Sequence, residues 1–431
     1  MMHTTARFRD KREAILDSAA RLFNQHGVKG TTVADIARHV QLAPNSVTYY
    51  FRRKEELAAA CLLRAADAMG AAADAAAQEH GTTARVQAFV DRYLRLLAEV
   101  EAGRHPALIV FSDLLSVPPP HATAAVTAYN ELFRRVRRLL DTPGTLPLEA
   151  AARNARAHLL LSSVSWARAW LHRYEPDDYA RVAGLLGDIL LHGLAAPGAQ
   201  VDAAAALPLA APGAEGAATQ EAYLRAATRL VNEHGYHGAS VDRIAGLLQL
   251  TKGSFYHHHQ TKDELVAACF TRTFGIVRAA QSAALQGSGS GLERLAMACR
   301  TLLAFQMSDQ GPLLRVTAWT GLPPALRSDA RRTMARLGER FTAFVIDGMA
   351  DGTLRVVDPS IAAQAVNGMI NAAAELERWS RGVHAENVFE LYALPVFTGL
   401  ASGASAATGR YTPARSRPPA AGIPRACRAA G

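Results

Sequence analysis

The chain has 431 residues, a hydrophobic fraction of 49% and a formal net charge of +9. This length predicts roughly two to three domains of about 150 residues each. No apolar run reaches the roughly 18 residues that a membrane-spanning helix needs, and residues 1–12 are charged where a signal peptide would be apolar. Composition therefore argues against a membrane or exported protein, and we expect a cytoplasmic protein with no membrane partner.

The positive charge is unevenly distributed. Residues 1–62 contain ten Lys and Arg against six Asp and Glu, whereas residues 220–270 contain five of each. Five further Arg and no acidic residue lie in 401–431, which is rich in Pro, Ala and Gly and which we expect to be disordered. Excess positive charge favours a nucleic-acid partner, and the two segments are unequal in this respect.

A fifty-residue pattern occurs twice without a gap. Residues 13–62 recur at 221–270, an offset of 208 positions, with 22 identities in 50. The repeat predicts that a whole unit has been duplicated and fused. One chain would then contain what a symmetric dimer assembles from two chains, and its two halves are free to differ.

Apolar residues at helical spacing predict the same four helices in each repeat. The predicted helices are 10–26, 33–40, one from Pro44 and one from Lys54, and then 221–234, 241–248, one from Thr251 and one from Lys262. Thr32 and Ser240 stand where they would cap the second helices. Beyond each repeat, Gly and Pro separate amphipathic segments that predict a larger helical body. These segments are 83–101, 106–116, 121–141, 148–174 and 177–194 in the first half, and 291–308, 312–321, 324–352, 359–381 and 385–400 in the second.

The third helix of each repeat carries the strongest functional signal. The segments are LAPNSVTYYFRRKEEL at 42–57 and LTKGSFYHHHQTKDEL at 250–265, preceded by FNQHG or VNEHG and by T-V-x-x-I-A or S-V-x-x-I-A. Together with the preceding helices they resemble the DNA-binding head of the TetR family of bacterial transcriptional regulators. The resemblance implies an all-α fold of two tandem units. Each unit would have an N-terminal three-helix helix-turn-helix head and a helical ligand-binding or dimerisation body.

On this basis the chain divides into two heads, two bodies, a linker and a tail. The predicted DNA-binding domains are 1–55 and 220–263, the helical ligand-binding or dimerisation domains are 56–195 and 264–400, the linker is 196–219, and the disordered basic tail is 401–431.

A recognition helix needs small residues where it approaches phosphates, followed by polar and aromatic side chains that reach the DNA backbone or base edges. The resemblance implies phosphate contacts by Thr32, Tyr49 and Lys54 in the first head and by Ser240, Tyr256, His257 and Lys262 in the second. Base contacts are assigned to Pro44, Asn45 and Thr48, and to Lys252, Gly253 and His258. Ser46 and Ser254 allow the close approach, and Tyr50 and Thr251 complete the candidate DNA-binding set. The alternatives are packing for the tyrosines and a solvated helix start for the lysines.

The two recognition helices differ at most positions. The family's usual Gly, aromatic and His are present as Gly253, Tyr256 and His258 but replaced by Asn45, Thr48 and Tyr50. The usual closing Phe is kept as Phe51 and replaced by His259. We therefore expect the heads to read different half-sites.

No reaction motif stands out. His257, His258 and His259 are consecutive, so on a helix they point about 100° apart and cannot converge on one metal ion. The four cysteines lack C-x-x-C spacing and are interpreted as buried small apolar residues. We predict no enzymatic activity, no metal site and no cofactor.

Polar and aromatic residues on apolar helices of the bodies are candidates to bind a small-molecule effector. They are His158, Ser162 and Trp166 in the first body, and Asn367, Asn371, Glu375 and Trp379 in the second. The alternative is that they are hydrogen-bonded core or interface residues.

The resemblance also implies a mechanism, in which the last two helices of two subunits form a four-helix bundle and an effector re-spaces the heads. The equivalent segments here are 148–194 and 359–400. A 24-residue linker spans at most about 80 Å, more than the roughly 35 Å between half-sites. We expect a ligand-responsive DNA-binding repressor that acts as a single-chain pseudo-dimer on an asymmetric operator and is associated with the nucleoid when bound. The alternatives are a homodimer of the tandem chain with four heads, and a ligand-binding or scaffold protein with degenerate heads.

Overall fold

The computed structural model describes residues 2–111, 114, 117–141, 148–201, 206–207, 209, 217–248, 261–287 and 289–402. These residues form helices, turns and loops, with an isolated β-bridge between Ala195 and Leu354. The predicted all-α class is therefore confirmed. None of the described helices combines the length and the apolar character needed to cross a membrane. The predicted tail lies outside the described residues from residue 403 onward.

The first unit begins with the three helices of its head and continues into a body of five. The helices are α1 (Met2–Gly30), α2 (Val33–His39), α3 (Pro44–Tyr50), α4 (Lys54–Ala76), α5 (Thr82–Glu101), α6 (His121–Arg138), α7 (Ala150–Ala167) and α8 (Tyr179–His192). Short 3₁₀ turns at Leu171–Arg173 and Pro176–Asp178 join the last two.

The second unit repeats this order with more interruptions near its end. Its described helices are α9 (Ala217–Gly238), α10 (Val241–Leu247), α11 (Lys262–Gln286), α12 (Gly291–Gln306), α13 (Pro324–Ala350), α14 (Pro359–Ala372), α15 (Leu376–Trp379) and α16 (Leu394–Thr398). 3₁₀ turns lie at Val316–Gly321 and Ala373–Glu375, and a π-helical turn lies at Phe389–Ala393. The predicted helix at 312–321 thus shrinks to the 3₁₀ turn.

Gly27 and Gly235 interrupt the first helix of each head, as the sequence predicts. Their φ angles are 72° and 70°, so each breaks the helical path, although the chain resumes a helical turn up to Gly30 or Gly238. Only glycine adopts this backbone conformation without strain.

The predicted helix at 106–116 is wrong over 106–110, which is not helical. The Ala107 N–H donates to Asp17 Oδ1 at 2.5 Å, and the Val110 N–H donates to Asn24 Oδ1 at 2.9 Å. A side chain of α1 therefore satisfies the Val110 N–H, which a helix from 106 would have bonded internally, and another holds the Ala107 N–H. Helical spacing in the sequence does not reveal these long-range bonds.

Each head has its own apolar core. Ile15, Ile36, Val47 and Leu57 meet in the first head, and their equivalents in the second head include Tyr223 and Ile244. The two bodies instead share one continuous core, which takes residues from α4 to α8 and from α11 to α16.

The shared core joins the last helices of the two units. The α7 helix contacts α14 and the π-helical turn, and α8 contacts α14 and α16. Leu159, Leu186, Val366 and Phe397 are almost wholly buried there. Each such side chain contributes about 1.5–3 kcal/mol when it leaves water, so this contact is a major part of the stability of both bodies.

Hydrogen bonds fix how the two units align. The Ala195 N–H donates to the Phe397 carbonyl at 2.9 Å, and the Leu400 N–H donates to the Leu190 carbonyl at 2.8 Å. The buried Arg156 guanidinium reaches across from α7 and donates to the Leu400 carbonyl, also at 2.8 Å. These hydrogen bonds fix the position of one unit along the other, which apolar packing alone would not do.

We expect Gly193→Ala to lower the free energy of unfolding more than the matched change Gly198→Ala. Both glycines have positive φ, 73° and 81°, a conformation that costs a residue with a Cβ about 1–2 kcal/mol. Only on Gly193 would the added Cβ also overlap the Phe397 carbonyl of the second unit, since nothing lies within 4 Å at Gly198. Such overlap costs about 1–3 kcal/mol more. Urea unfolding of both variants tests this, and equal losses would contradict the packing of the two units.

Candidate DNA interface and effector cavity

Thr32 caps the α2 helix of the first head, as the sequence predicts, and Asp35 completes a capping box with it. Thr32 Oγ1 accepts a hydrogen bond from the Asp35 N–H at 3.1 Å, and Asp35 Oδ2 accepts from the Thr32 N–H at 3.0 Å. The Thr32 hydroxyl also donates to Asp35 Oδ2 at 2.6 Å. This bond, the bond from the Thr32 N–H and the bond from the Arg38 guanidinium hold the pKa of Asp35 below its usual value. Thr32 is thus ordered at the start of α2, and its assigned phosphate contact stays a prediction.

The α3 helix presents one polar face to solvent. Pro44 occupies its first turn without a side-chain cap, and Val47 packs into the head core. The exposed residues are Pro44, Asn45, Thr48 and Tyr49, with Tyr49 exposed by 75%, whereas Ser46 and Tyr50 are half-buried. All four residues assigned to base or phosphate contacts in α3 are therefore accessible to DNA.

Phe8 joins this face, although the sequence analysis did not single it out. Its ring centre lies 4.7 Å from that of Tyr50 and 6.2 Å from that of Tyr49. Tyr50 is thereby held against α1, whereas Tyr49 is largely exposed, and the assigned DNA contacts of both tyrosines stay predictions. The sequence signal was the aromatic residue within a basic segment, with Arg7 and Arg9 on either side.

Lys54 begins α4 and points back to the turn before α2. Its ammonium donates to the Thr31 carbonyl at 2.8 Å and to the Lys29 carbonyl at 3.4 Å. Burial lowers the pKa of Lys54. Main-chain carbonyls at a helix end explain why a lysine is tolerated at this position, and its assigned phosphate contact stays a prediction.

The second head is described for its first two helices and the start of α11. Ser240 Oγ accepts from the Arg243 N–H at 3.2 Å and caps α10, as predicted. The predicted recognition helix lies outside the described residues, which leaves Thr251, Lys252, Gly253, Ser254, Tyr256, His257 and His258 without a structural account.

The two heads contact each other through the last turns of their first helices, α1 and α9. A Cβ on Gly30 would lie 2.6 Å from His237 Nε2, and a Cβ on Gly238 would lie 2.8 Å from Lys29 Nζ. The contact therefore brings basic side chains of both heads together.

Lys262 lies half-buried beside this contact. Its ammonium is 4.3 Å from the centre of the Tyr236 ring, and the Tyr236 hydroxyl donates to Asp263. Burial, and then the positive charge of Lys29 in the other head, lower the pKa of Lys262 to about 8.

Equivalent asparagines connect each head to its own body. Asn24 donates to the Leu108 carbonyl at 2.8 Å and accepts from the Val110 N–H at 2.9 Å. Asn232, which lies 208 positions later, donates to the Leu313 carbonyl and accepts from the Arg315 N–H, both at 2.9 Å. We call residues 107–110 and 313–316 the linking segments. The sequence shows this asparagine in both FNQHG and VNEHG, but it does not show that the main chain of the linking segment is its hydrogen-bond partner.

A cavity of about 780 Å³ lies between the two bodies. Its wall includes all seven residues that the sequence analysis selected for an effector: His158, Ser162, Trp166, Asn367, Asn371, Glu375 and Trp379. The sequence divided them between two bodies, and the structure brings them around one space. Both linking segments also contribute to the wall.

Hydrogen bonds order the polar part of the cavity wall. The Arg315 guanidinium donates to Glu375 at 2.5 Å, and the Val316 N–H donates to Asn371 Oδ1 at 3.0 Å. His158 Nε2 lies 3.1 Å from the Ala372 carbonyl, and burial lowers the pKa of His158, so its ring is neutral at pH 7. Part of the predicted set is thus bonded within the protein, as the alternative reading held.

Aromatic rings from both units form the apolar part. Trp379 of the second unit packs against Tyr129 and Phe133 of the first, with ring centres 4.9 and 5.3 Å apart. Trp166 Nε1 donates to Gln364 Oε1 across the interface at 3.2 Å. Trp170, which the sequence analysis missed, lies one helical turn after Trp166 on the same wall.

Cysteines and metal ligands add no further chemistry in the described part of the chain. Cys61, Cys269 and Cys299 are buried, and burial raises the pKa of Cys61 and Cys269 to about 12. The interpretation of these three as core residues is confirmed. No group of three or more His, Cys, Asp or Glu that could hold a metal occurs among the described residues.

The helix-turn-helix of the first head, the matching first two helices of the second head, and helical bodies with a cavity between them are typical of a DNA-binding regulator with a ligand-binding domain. The sequence pattern of "Bacterial regulatory proteins, tetR family" matches residues 15–61 and 224–269. The pattern "Tetracyclin repressor-like, C-terminal domain" matches residues 288–379. The chain belongs to the TetR family, as two units in tandem.

Individual proteins resemble parts of the chain. The Transposon Tn10 TetC protein of Escherichia coli is 40% identical over 52 residues, which are 12% of this chain and 26% of that protein. The structure of PfmR, a TetR family transcriptional regulator from Thermus thermophilus, is 28% identical, with a TM-score of 0.35 over 41% of this chain and 98% of its own. That of AibR in complex with isovaleryl coenzyme A and operator DNA is 20% identical, with a TM-score of 0.36 over 42% and 97%.

We expect Lys262 to titrate near pH 8 and Lys29→Gln to raise its pKa, because Lys29 is the charge that lowers it. Since the folded pKa lies below the usual 10.5, Lys262 makes the free energy of unfolding increase as pH rises from about 8 towards 10.5. The chain has five lysines, so ¹³C-methylation and NMR would resolve each titration.

The matched control is Lys11→Gln on the same helix, which should leave the pKa of Lys262 unchanged. If the pKa of Lys262 is the same in the Lys29→Gln variant as in the unaltered chain, the two heads do not contact each other in solution.

Proposed function

We propose that this protein is a ligand-responsive repressor that acts as a single-chain pseudo-dimer on an asymmetric operator. The observation that carries the proposal is the shared core between the last helices of the two units. In symmetric oligomers such a surface joins two identical chains. Here it is satisfied within one chain, which favours one pair of heads per molecule.

The exposed face of α3 supports contact with double-stranded DNA. Asn45 and Thr48 offer groups for base edges, and Tyr49 offers a hydroxyl for the phosphate backbone. The excess of four positive charges in residues 1–62 favours approach to a polyanion. The second head has no such excess, and its recognition sequence differs, so the operator should consist of two unlike half-sites.

The linking segment 313–316 supports a response to an effector. It lines the cavity, where Asn371 and Glu375 hold it, and Asn232 of the second head holds its other side. The 3₁₀ turn that follows contacts the first helices of both heads. An effector that changes the bonds of Asn371 or Glu375 would move this turn and alter the placement of the heads. The partners are therefore an operator and a small molecule, and the chain needs no catalytic role.

We expect Thr48→Ala to weaken binding to the upstream intergenic DNA of this protein by about 0.5–1.5 kcal/mol, the range for loss of one neutral hydrogen bond. The matched control is Thr123→Ala, which removes an exposed threonine from the surface of α6 in the body. Fluorescence anisotropy at several salt concentrations measures both. Affinity of the unaltered chain should fall steeply with salt, because phosphate contacts release counterions.

If the chain shows no DNA binding whose affinity falls with salt, the repressor proposal is wrong. A ligand-binding or scaffold protein, with heads degenerate for DNA binding, would then be favoured. Equal losses of DNA affinity in Thr48→Ala and Thr123→Ala would show that α3 of the first head does not contact the DNA.

A further inference from the structure

We propose that the cavity binds an amphipathic anion, with an apolar or aromatic body and one carboxylate or phosphate end. The inference rests on the proposed function only in treating this space as the effector site. It concerns the chemistry of the ligand, which neither the fold nor the family fixes.

Charge on the cavity wall is strongly one-sided. Among the described lining residues, six are arginine and Glu375 supplies the carboxylate. The arginines are Arg168, Arg173, Arg315, Arg331, Arg332 and Arg378. Because His158 is neutral, it neither adds to nor offsets this charge. A cation would be repelled by this charge. A neutral apolar ligand would displace water from the guanidinium groups without offering them a hydrogen-bond partner, which costs free energy.

The arginines lie at two depths. Arg168 and Arg315 are inner, one from each unit, and the Arg315 side chain is only 12% exposed. Arg315 is paired with Glu375, whereas the bond from Arg168 goes to the neutral Leu108 carbonyl at 2.7 Å. The charge of Arg168 is thus not cancelled by that partner, and it is the inner group that an anion would neutralise.

The remaining four arginines surround the mouth. Arg332 pairs with Asp329 on its own helix, and Arg173 approaches Glu339 at 4.0 Å. Arg378 is exposed and lies near the end of α15. A mouth of this composition attracts anions from solution before they reach the inner pair.

The rest of the wall suits an apolar body. Trp170 is only 3% exposed, and its indole N–H finds no acceptor among the described residues, as is also true of the Trp379 indole N–H. The rings of Trp170 and Trp379 line the same space as Tyr129 and Trp166, while their indole nitrogens are buried within the protein. Aromatic rings bury large apolar areas, so an apolar or aromatic ligand body would be stabilised here.

Titration of the full chain, without DNA, with decanoate, decyl phosphate and decanol tests the proposal. Three of the four tryptophans line the cavity, so intrinsic fluorescence reports binding directly. At least one of the two anions should bind about tenfold or more tightly than decanol, since a charge-assisted hydrogen bond is roughly twice as strong as a neutral one. A preference between decanoate and decyl phosphate identifies the acidic group.

Two variants locate the anion. Arg168→Gln and Arg378→Gln should each weaken binding of the preferred anion by about fivefold or more, whereas Arg336→Gln should not. Arg336 is the matched control because it is exposed on α13, close in sequence to Arg332 but outside the cavity wall. Circular dichroism verifies that each variant is folded.

Decanol binding as tight as that of the anions, or no binding by any of the three, would overturn the proposal. So would equal effects of Arg378→Gln and Arg336→Gln. These outcomes leave the DNA experiment untouched, because DNA is absent from the titration, and failure of DNA binding would leave this result standing.

Discussion

The apolar contact between α7 and α8 of the first unit and α14 and α16 of the second is the constraint on which the other features depend. It places the cavity between the bodies, because the lining residues come from both sides of that contact. It also sets where the heads can be, since each head is held to its body by the hydrogen bonds of Asn24 or Asn232. A covalent linker keeps the two surfaces at high effective concentration, which favours this contact over exchange between chains.

Fusion removes the requirement for symmetry, and the described residues show where the units have diverged. In a symmetric dimer, a cavity away from the twofold axis has a twin with the same lining, and a cavity on the axis contains each lining residue twice. Here the cavity wall takes Trp166 from α7, Trp379 from α15 and arginines from both units, so one ligand site can be specialised without its mirror image. The same freedom applies to the heads, whose charge and recognition residues differ.

The sequence predicts the helices and their caps because both depend on residues close together in the chain. It predicts the duplication because the same pattern occurs twice. Thr32 and Ser240 cap the helices that the pattern predicts, and the glycines after FNQH and VNEH break the first helices. The sequence predicts the cavity only in part. Its seven predicted residues were chosen as polar or aromatic groups on apolar helices, but their convergence depends on how two distant segments pack. Segment 106–110 failed as a helix because Asp17 and Asn24, far away in sequence, bind its main chain.

The measurement that tests the single-chain account most directly is the molar mass of the purified protein by light scattering, free and bound to its upstream intergenic DNA. The account predicts a protein mass near 46.0 kDa in both states, with one chain on each DNA site. A protein mass of about twice that value on one site would contradict it and show instead a four-headed dimer of the tandem chain.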